Sequence, residues 1–322
     1  MHLRSATLHV LIAAIAPVLV APSTPAAAQS TCANEPLAVQ VLGSGGPHAG
    51  DTRASTGYLV WQNGKAVVMV DAGGGTFLRF GEAGARLQDL SLLAISHLHP
   101  DHVSDLPALL WLSETARKQP LKAAGPSGGG AFPSFDSFIS RLFDPGTGAF
   151  PILAGTVGKP GQGVRLDLTV VDAAAGTPQR VPADAGIEVS AIGVPHADVP
   201  SVAYKVVIGG RSIVFAADQN GTDPRFVEFA SGADVLVMHL AVSQQTAPFL
   251  AQVHARPSTV GQVAQGAKAK TLILSHLMKA PPAFPTPQVF SLSDLDGAIA
   301  EVRKAYSGSV QAAADLQCIP VR

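Results

Sequence analysis

Five short apolar segments of this 322-residue chain are each followed, within about two residues, by a histidine or an aspartate. The segments are Leu92 to Ile95, Ile187 to Val194, Ser212 to Ala216, Val235 to Met238 and Thr271 to Leu274. The groups that follow them are His97 with His99, His196, Asp218, His239 and His276. Apolar, β-branched runs bounded by turn residues are typical of buried strands, and strand ends are where loops carry ligand sites. The pattern therefore predicts a sheet system that collects these side chains at one rim.

The first of these segments leads into the sequence SHLHPDH, residues 96–102. Buried imidazoles and carboxylates need partners, and such a cluster without a metal would suffer desolvation and like-charge repulsion. Alternation along an extended chain points His97 and His99 the same way, so that they can bind one ion. Asp101 and His102, at the turn into a helix, can bind a second. The remaining ligands are expected to be His196 for the first ion, His276 for the second and Asp218 between them. These donors suit zinc, and iron or manganese accept the same set.

Three other histidines need separate interpretations. His48 follows a Gly-rich turn and is predicted to be a loop residue. His254 precedes a predicted helix and is expected to hydrogen-bond its surroundings. His239 is either a buried structural imidazole or a proton donor near the metals, and we favour the second.

The first residues have the layout of a secretory signal peptide, predicted over residues 1–28. Arg4 lies near the start, and an apolar stretch runs from about Leu8 to Val20. This stretch is broken by Pro17 and falls short of the roughly 20 residues that span a bilayer. We therefore expect residues 29–322 to be periplasmic or secreted, with no membrane segment after cleavage.

The chain has two cysteines, Cys32 and Cys318. In an oxidising compartment they are expected to form one disulfide, which closes a very long loop and contributes about 4 kcal/mol. Two free thiols are the alternative.

Strands mixed with helices predict an α/β layered domain spanning residues 29–322. The further predicted strands are Leu37 to Leu42, Gly57 to Trp61, Ala66 to Val70 and Val202 to Ile208, with a hairpin turn at Gly209-Gly210. The predicted helices are His102 to Ala116, Ser134 to Phe143, Ser258 to Ala267 and Leu292 to Tyr306, the last with Ser293 as N-cap. Residues 119–163 are rich in Gly and Pro and form either an irregular insertion or a wall over the site.

Composition limits the partners. The chain is 47% hydrophobic and 14% charged, so it has ample material for a core. Its formal net charge is -1, with Lys and Arg scattered along the sequence. Since nucleic-acid binding relies on neutralising many phosphates, we expect a small-molecule substrate and no nucleic-acid partner. The oligomeric state is left open.

The segment from His97 to His102 resembles the H-x-H-x-D-H signature of the metallo-β-lactamase superfamily. Further segments resemble, in order, blocks of its ribonuclease Z and arylsulfatase-like branch: VLGSGGP, STGYLVW, VVMVDAGGGT, FAADQNGT, VLVMHLAV and TLILSHL. The similarity covers residues 37–280 and implies an αββα sandwich with two zinc ions.

The resemblance also implies roles for single residues. It assigns one zinc to His97, His99 and His196, the other to Asp101, His102 and His276, and a bridging position to Asp218. Asp71 matches an acidic residue that braces the metal loop. His239 matches a histidine that assists the leaving group, although Leu240 stands where an acidic residue usually follows. Leu277-Met278-Lys279 likewise replaces the usual aromatic and basic residues.

These departures and the export signal favour small esters over tRNA precursors. The main hypothesis is an exported dinuclear zinc hydrolase of phosphodiesters, phosphate esters or sulfate esters. A water held between the ions attacks, Asp101 orients it, and His239 donates to the departing oxygen. The alternatives are a β-lactamase or lactonase, the former disfavoured by a bridging Asp218, and a metal-binding protein without catalysis.

Overall fold

The computed structural model describes residues 32–48, 52–111, 117, 119–278, 292 and 294–322. In chain order, the strands are β1 Leu37–Gly43, β2 Gly57–Gln62, β3 Lys65–Val70, β4 Leu92–Ala94, β5 Leu121–Pro126, β6 Leu166–Val171, β7 Gln179–Val181, β8 Ile187–Val194, β9 Ser201–Ile208, β10 Arg211–Phe215, β11 Val235–His239, β12 Thr271–Ser275, β13 Ser309–Ala312 and β14 Cys318–Pro320. The signal peptide predicted over residues 1–28 lies outside the described residues.

These strands form two seven-stranded sheets. The first has the order β14-β1-β2-β3-β4-β5-β6 and is parallel from β3 to β6. The second has the order β13-β12-β11-β10-β9-β8-β7 and is parallel from β10 to β13. Both sheets are therefore mixed. The predicted hairpin between β9 and β10 is present, and Gly209 (φ 57°) and Gly210 (φ 77°) supply the left-handed backbone that its turn needs.

Seven α-helices accompany the sheets in the described residues: α1 Thr76–Glu82, α2 Pro100–Val103, α3 Leu106–Trp111, α4 Phe135–Phe143, α5 Pro224–Phe229, α6 Pro257–Gly266 and α7 Leu295–Ala305. Short 3₁₀ segments lie at Cys32–Asn34, Leu87–Asp89, Pro151–Val157 and Leu250–Gln252. None of the described helices has the length and apolar character needed to cross a bilayer.

Side-chain alternation along the strands separates three apolar layers. Val39 and Val41 of β1 pack between the two sheets, while Ala38 and Leu42 of the same strand pack against the outer helices of the first sheet. A third cluster joins the outer face of the second sheet to α5, α6 and α7. Strands buried on both faces read as continuous apolar runs, as in these segments. The predicted αββα sandwich is confirmed.

The helix predicted from His102 to Ala116 is divided, and residues 112–116 lie outside the described part. The break between α2 and α3 follows from Pro107, which lacks the N–H that would continue a helix from Val103. The turn is also held by Asp105, whose N–H donates to the Ala72 carbonyl oxygen at 2.9 Å. Its carboxylate accepts from the Phe77 N–H at 2.9 Å.

The last helix, α7, begins later than predicted. Its N-cap is Asp294, whose carboxylate accepts from the Gly297 N–H at 2.8 Å. The predicted cap, Ser293, lies outside the described residues.

The Gly- and Pro-rich segment 119–163 is not an irregular insertion throughout, because it contains β5 and α4. Strand β5 lies between β4 and β6 and is parallel to both. The sequence does not show β5 as a strand because small residues occupy it. A Cβ at Gly125 would lie 2.4 Å from the Phe135 ring, so glycine lets α4 pack directly on the strand.

Cys32 and Cys318 form a disulfide, as predicted. Strand β14, which carries Cys318, also pairs with β1. The end of the chain is therefore fixed covalently and by a strand ladder to the first sheet.

Candidate metal centre

The rim predicted at the strand ends exists, and it brings together all seven predicted ligand residues. One group consists of His97, His99, His196 and Asp218, and a second of Asp101, His102 and His276; Asp218 and His276 also form a third group with His239. Within each group, one nitrogen or carboxylate oxygen from every residue lies within 4.8 Å of the others. All of these side chains are buried or partly buried.

Asp218 lies between the two groups, and its two carboxylate oxygens face different ones. Oδ2 is 3.8 Å from Nε2 of His97 and 3.6 Å from Nε2 of His196. Oδ1 is 3.8 Å from Nε2 of His102 and 3.5 Å from Nε2 of His276. One carboxylate can thus contribute a ligand atom to each group.

Left-handed backbone turns the chain into the rim where the strands end. Asp71 (φ 60°) follows β3, Ala217 (φ 59°) precedes Asp218, and His276 (φ 54°) follows β12. Such conformations cost roughly 1–3 kcal/mol each for residues with a Cβ and cluster at functional sites. The surrounding sheet holds these residues in place and directs their neighbours inward.

Hydrogen bonds to the far ring nitrogens orient two of the histidines. Nδ1 of His102 donates to Oδ2 of Asp71 at 2.8 Å, and Asp71 also accepts from the N–H of Ser96 at 2.7 Å and from its hydroxyl at 2.8 Å. Nδ1 of His196 donates to the Val253 carbonyl oxygen at 2.8 Å. When these imidazoles are neutral, the Nε2 atoms of His102 and His196 are left as lone-pair donors that face the groups.

The donor set fits divalent metal ions. The Nε2 atoms of His102 and His196 are buried and have no hydrogen-bond partner among the described residues. Nε2 of His97 and Nδ1 of His99 lie 3.0 Å apart. Buried nitrogens converging in this way need a shared cation or proton, and imidazole with carboxylate suits zinc and iron. The rim is a His/Asp metal-binding cluster.

The charges of the metal-free rim agree with that interpretation. Burial lowers the pKa of His97, His99 and His196, which favours the neutral imidazole that binds metals. Burial opposes ionisation of Asp218, but the imidazoles around it, His276 foremost, hold its pKa well below the usual range. These groups are therefore ready to act as ligands without first losing a proton.

The second group behaves differently before metal binds. Burial disfavours charge on His102, but Asp71, Asp101 and Asp218 together raise its pKa to about 9. Burial likewise opposes the ionisation of Asp101, while His102 and His276 hold its pKa well below the usual range. A cation entering this group must therefore displace a proton from His102.

His239 lies at the rim, in contact with Asp218. Its Nδ1 is hydrogen-bonded to Oδ1 of Asp218, and its Nε2 lies 3.5 Å from the hydroxyl of Tyr58. Burial lowers its pKa to about 4. Both ring nitrogens are thus engaged, and the predicted role of His239 as proton donor stays a prediction.

His254, expected to hydrogen-bond its surroundings, instead lies in the rim. Its Nδ1 is 3.8 Å from Oδ2 of Asp218, and its ring centroid is 5.4 Å from that of His196 and 5.6 Å from that of His276. This buried Nδ1 has no hydrogen-bond partner among the described residues. Since His254 follows a 3₁₀ turn and no strand, the strand-end pattern does not reveal it.

The walls of the site come from neighbouring loops. The ring of Phe132, in the Gly- and Pro-rich segment, lies 5.5 Å from that of His99. A cleft of about 330 Å³ adjoins His196 and is also lined by Gly128, Gly129 and Asp198. His48 lies in the loop after β1 and belongs to none of the ligand groups found in the described chain.

Comparison with known proteins identifies the family. The family description "metallo-beta-lactamase superfamily" matches residues 50–230, more than half of the chain. Ribonuclease Z of Mycolicibacterium paratuberculosis (strain ATCC BAA-968 / K-10) is 28% identical over 266 residues, which cover 76% of this chain and 87% of that protein. Ribonuclease Z of Mycobacterium sp. (strain KMS) is 39% identical over 95 residues, so that 29% of this chain is matched to about a third (33%) of that relative.

The fold is also similar to that of a solved structure. The crystal structure of the short form of human tRNase Z superposes with a TM-score of 0.64 at 21% identity, over 88% of this chain and 99% of that one.

The expectation that nucleic acid is excluded as a partner is wrong, because the relatives are ribonucleases. That expectation relied on a net charge of -1 and scattered cations. Net charge averages over the whole surface, whereas metal ions at a rim supply positive charge at the phosphate itself.

The relatives are ribonucleases and therefore hydrolases, the class of enzyme that the sequence predicts. The match of the family description, the sandwich of two mixed sheets and the His/Asp rim agree with one another. The chain belongs to the metallo-beta-lactamase superfamily.

Proposed function

We propose that this chain is an exported two-metal phosphodiesterase, with zinc as the preferred ion. The observation that carries the proposal is the position of Asp218, whose two oxygens face two separate ligand groups. The likeness to ribonuclease Z favours phosphodiesters as the substrate class. RNA and smaller phosphodiesters share that scissile bond, and the experiment below distinguishes them.

Each of the two predicted ligand groups holds one ion. His97, His99 and His196 hold the first, Asp101, His102 and His276 hold the second, and Asp218 serves both. Divalent ions bound there supply Lewis-acid polarisation of the phosphoryl oxygen and lower the pKa of a water.

Asp101 is placed to take part in the proton transfer. Its Oδ2 lies 3.1 Å from Nε2 of His276 and 3.6 Å from Nε2 of His102. Because these imidazoles hold its pKa well below the usual range, Asp101 is a carboxylate at working pH. It orients the attacking water by accepting a hydrogen bond.

His254 is the better placed donor to the departing oxygen. Its Nδ1 borders the rim and has no hydrogen-bond partner among the described residues, whereas His239 bonds to Asp218 through Nδ1 and adjoins Tyr58 through Nε2. A donor must reach the substrate with a free N–H, and positioned donors of this kind contribute about 10²- to 10⁴-fold. His239 then positions Asp218.

Export is supported by two features of the chain. Residues 1–28 have the layout of a signal peptide, and the Cys32–Cys318 disulfide is of the kind that persists in oxidising compartments. Fractionation of the native host, probed with an antibody to the chain, tests this part of the proposal. Recovery of uncleaved protein from the cytoplasm contradicts it.

The activity is tested with a panel of substrates. Bis-nitrophenyl phosphate and a stem-loop RNA with a 3′ extension represent the two phosphodiester types. A nitrophenyl sulfate, a lactone and nitrocefin test the alternative activities of a sulfate-ester hydrolase, a lactonase and a β-lactamase. We expect turnover of a phosphodiester that is lost on chelation and restored by zinc. Turnover of only the lactone or nitrocefin, or none with ions bound, contradicts the proposal.

A pair of variants separates the chemistry from folding. Asp101→Asn is expected to lower phosphodiester turnover by at least about 10²-fold. Asp105→Asn, four positions along the same turn, changes a carboxylate that accepts from the Phe77 N–H and belongs to no ligand group found in the described residues. Equal losses in the two variants would show that the effect of Asp101→Asn is structural.

A further inference from the structure

We infer that Asp315 and the glycine wall, residues 44–46, position the His276 imidazole and thereby decide whether the second ligand group binds its ion. The inference rests on the proposed two-metal function. Asp315 and Gly46 belong to no ligand group and act through His276, so they are positioning residues.

Among the described residues, no outer hydrogen bond orients His276 in the way that it orients His102 and His196. Metal-binding histidines almost always donate their second ring N–H to a carboxylate, a carbonyl or water. His102 does so to Asp71 and His196 to the Val253 carbonyl. Nδ1 of His276 is buried and has no hydrogen-bond partner among the described residues. Within the described residues, Nε2 of His276 bonds to Asp101 at 3.1 Å, and the Nδ1 side of the ring is held by packing.

Gly46 packs directly against that ring. A Cβ at Gly46 would lie 2.6 Å from Cε1 and 2.9 Å from Nδ1 of His276, and 2.9 Å from Cγ of Met278. Real Cβ contacts are not this short, so only a hydrogen atom fits between Gly46 and the imidazole. The position needs glycine for space, since the φ angle of Gly46 is not in the left-handed region. The wall therefore limits rotation of the His276 ring by contact.

The wall is hydrogen-bonded on one side to the residue that follows His276 and on the other to residues 55 and 56. The Ser44 carbonyl accepts from the Leu277 N–H at 2.8 Å, directly after the ligand. On the other side, the hydroxyl of Thr56 donates to the Gly45 carbonyl at 3.1 Å and that of Ser55 to the Gly46 carbonyl at 3.0 Å. The wall has little freedom to move away from the ring.

Asp315 fixes the start of the wall. Its Oδ1 accepts from the N–H of Ser44 at 3.0 Å and from the Ser44 hydroxyl at 2.8 Å. Its Oδ2 accepts from the N–H of Ala54 at 2.8 Å and from Nε of Arg79 at 3.3 Å. Four donors converge on one carboxylate whose side chain is 14% exposed.

The segment that carries Asp315 is itself tied to the strand that carries His276. It leaves β13, which pairs with β12, and the Ala313 N–H donates to the Leu274 carbonyl at 2.8 Å. It then enters β14, which pairs with β1. The C-terminal segment thus crosses from one sheet to the other at the rim and clamps the wall between them.

Metal titration of the stripped full-length chain tests the inference. Zinc is added against a chromophoric chelator, and cobalt absorption reports the geometry of each group. The wild type is expected to bind two ions. Asp315→Ala is expected to bind the first with unchanged affinity and the second about 10- to 100-fold more weakly, the usual cost of losing an outer contact to a ligand. Gly46→Ala, which inserts a methyl group against the ring, is expected to give the same selective loss.

Matched variants separate positioning from folding. Arg79→Gln removes one donor to Asp315 and leaves the Ser44 bonds, so both affinities are expected to stay at wild-type values. Gly46→Ala combined with Asp315→Ala is expected to lose less than the product of the single losses, because a loosened wall accommodates the methyl group. Ser44→Ala, a milder change, replaces Asp315→Ala should the latter fail to fold.

The outcomes are distinguishable. Equal weakening of both ions, or an unchanged second ion in both folded single variants, overturns the inference while leaving the two-metal function in place. A wild-type chain that binds fewer than two ions overturns the proposed function itself.

Discussion

The carboxylate of Asp71 offers a sharp test of how the metal rim is organised. It is buried and accepts three hydrogen bonds, from the Ser96 amide, the Ser96 hydroxyl and Nδ1 of His102. Asp71→Asn keeps the shape and removes the charge. If the amide oxygen takes the place of Oδ1 and keeps the bond from the Ser96 N–H, the amide nitrogen takes the place of Oδ2 and faces Nδ1 of His102, so that two donors oppose each other. His102 must move its proton to Nε2, the atom that faces the second ligand group.

The magnitude follows from the bond that is lost. A hydrogen bond to a charged group contributes about 1.5–3 kcal/mol, which corresponds to roughly 10- to 150-fold in an equilibrium constant. Loss of an outer partner of a metal ligand typically costs about 10- to 100-fold in metal affinity. We therefore expect the second ion to bind about 10- to 100-fold more weakly in Asp71→Asn. The first ion is expected to be affected less, because its ligands do not contact Asp71.

The assay is a zinc titration of the metal-free variant, combined with ¹⁵N chemical shifts of the His102 imidazole. Asp105→Asn, which alters a carboxylate outside both groups, is the matched control. An unchanged second affinity together with a proton that stays on Nδ1 would refute the reasoning.

Three further predictions concern the fold and the chemistry. Asp234→Asn is expected to lower the free energy of unfolding by about 1–2 kcal/mol at neutral pH. Burial opposes ionisation of the Asp234 carboxyl, but Lys270, the Ser212 N–H and Arg211 hold its pKa below the usual value. A carboxyl whose pKa is lowered by folding stabilises the fold at pH values above its unfolded pKa, and this stabilisation is lost in acid. Urea unfolding should therefore show that the stability difference between wild type and Asp234→Asn shrinks below about pH 4; a difference that stays constant contradicts this. Replacing Cys32 and Cys318 by serine is expected to cost about 4 kcal/mol of unfolding free energy in the same assay, and a loss under about 1 kcal/mol is inconsistent with a loop of that length. His254→Gln is expected to lower phosphodiester kcat by about 10²-fold or more with two ions still bound, and unchanged kcat removes it as the donor.

The sequence predicts the site better than it predicts the edges of the fold. Strands such as Ile187–Val194 are β-branched and buried, so their limits and their terminal ligands are visible as apolar runs. Strand β6, Leu166–Val171, was missed because it lies at the edge of its sheet and its middle residues are partly exposed. Strand β5 was missed because small residues replace the β-branched pattern beneath α4.

Contacts between distant loops are the other features that the sequence does not predict. His254 reaches Asp218 from an irregular segment, and no local periodicity announces such a contact. The hydrogen bonds between Asp315 and Ser44 join residues 271 positions apart in the sequence. Both depend on how the sheets meet at the rim, which only the assembled fold fixes.

The central claim is that two cations share Asp218. Elemental analysis of protein purified without chelator, for the wild type and for Asp218→Ala, tests it most directly. The account predicts two ions per wild-type chain, markedly fewer in the variant, and phosphodiester turnover that follows the ions. One ion or none in a fully active wild-type chain, or two ions retained after Asp218→Ala, would contradict it.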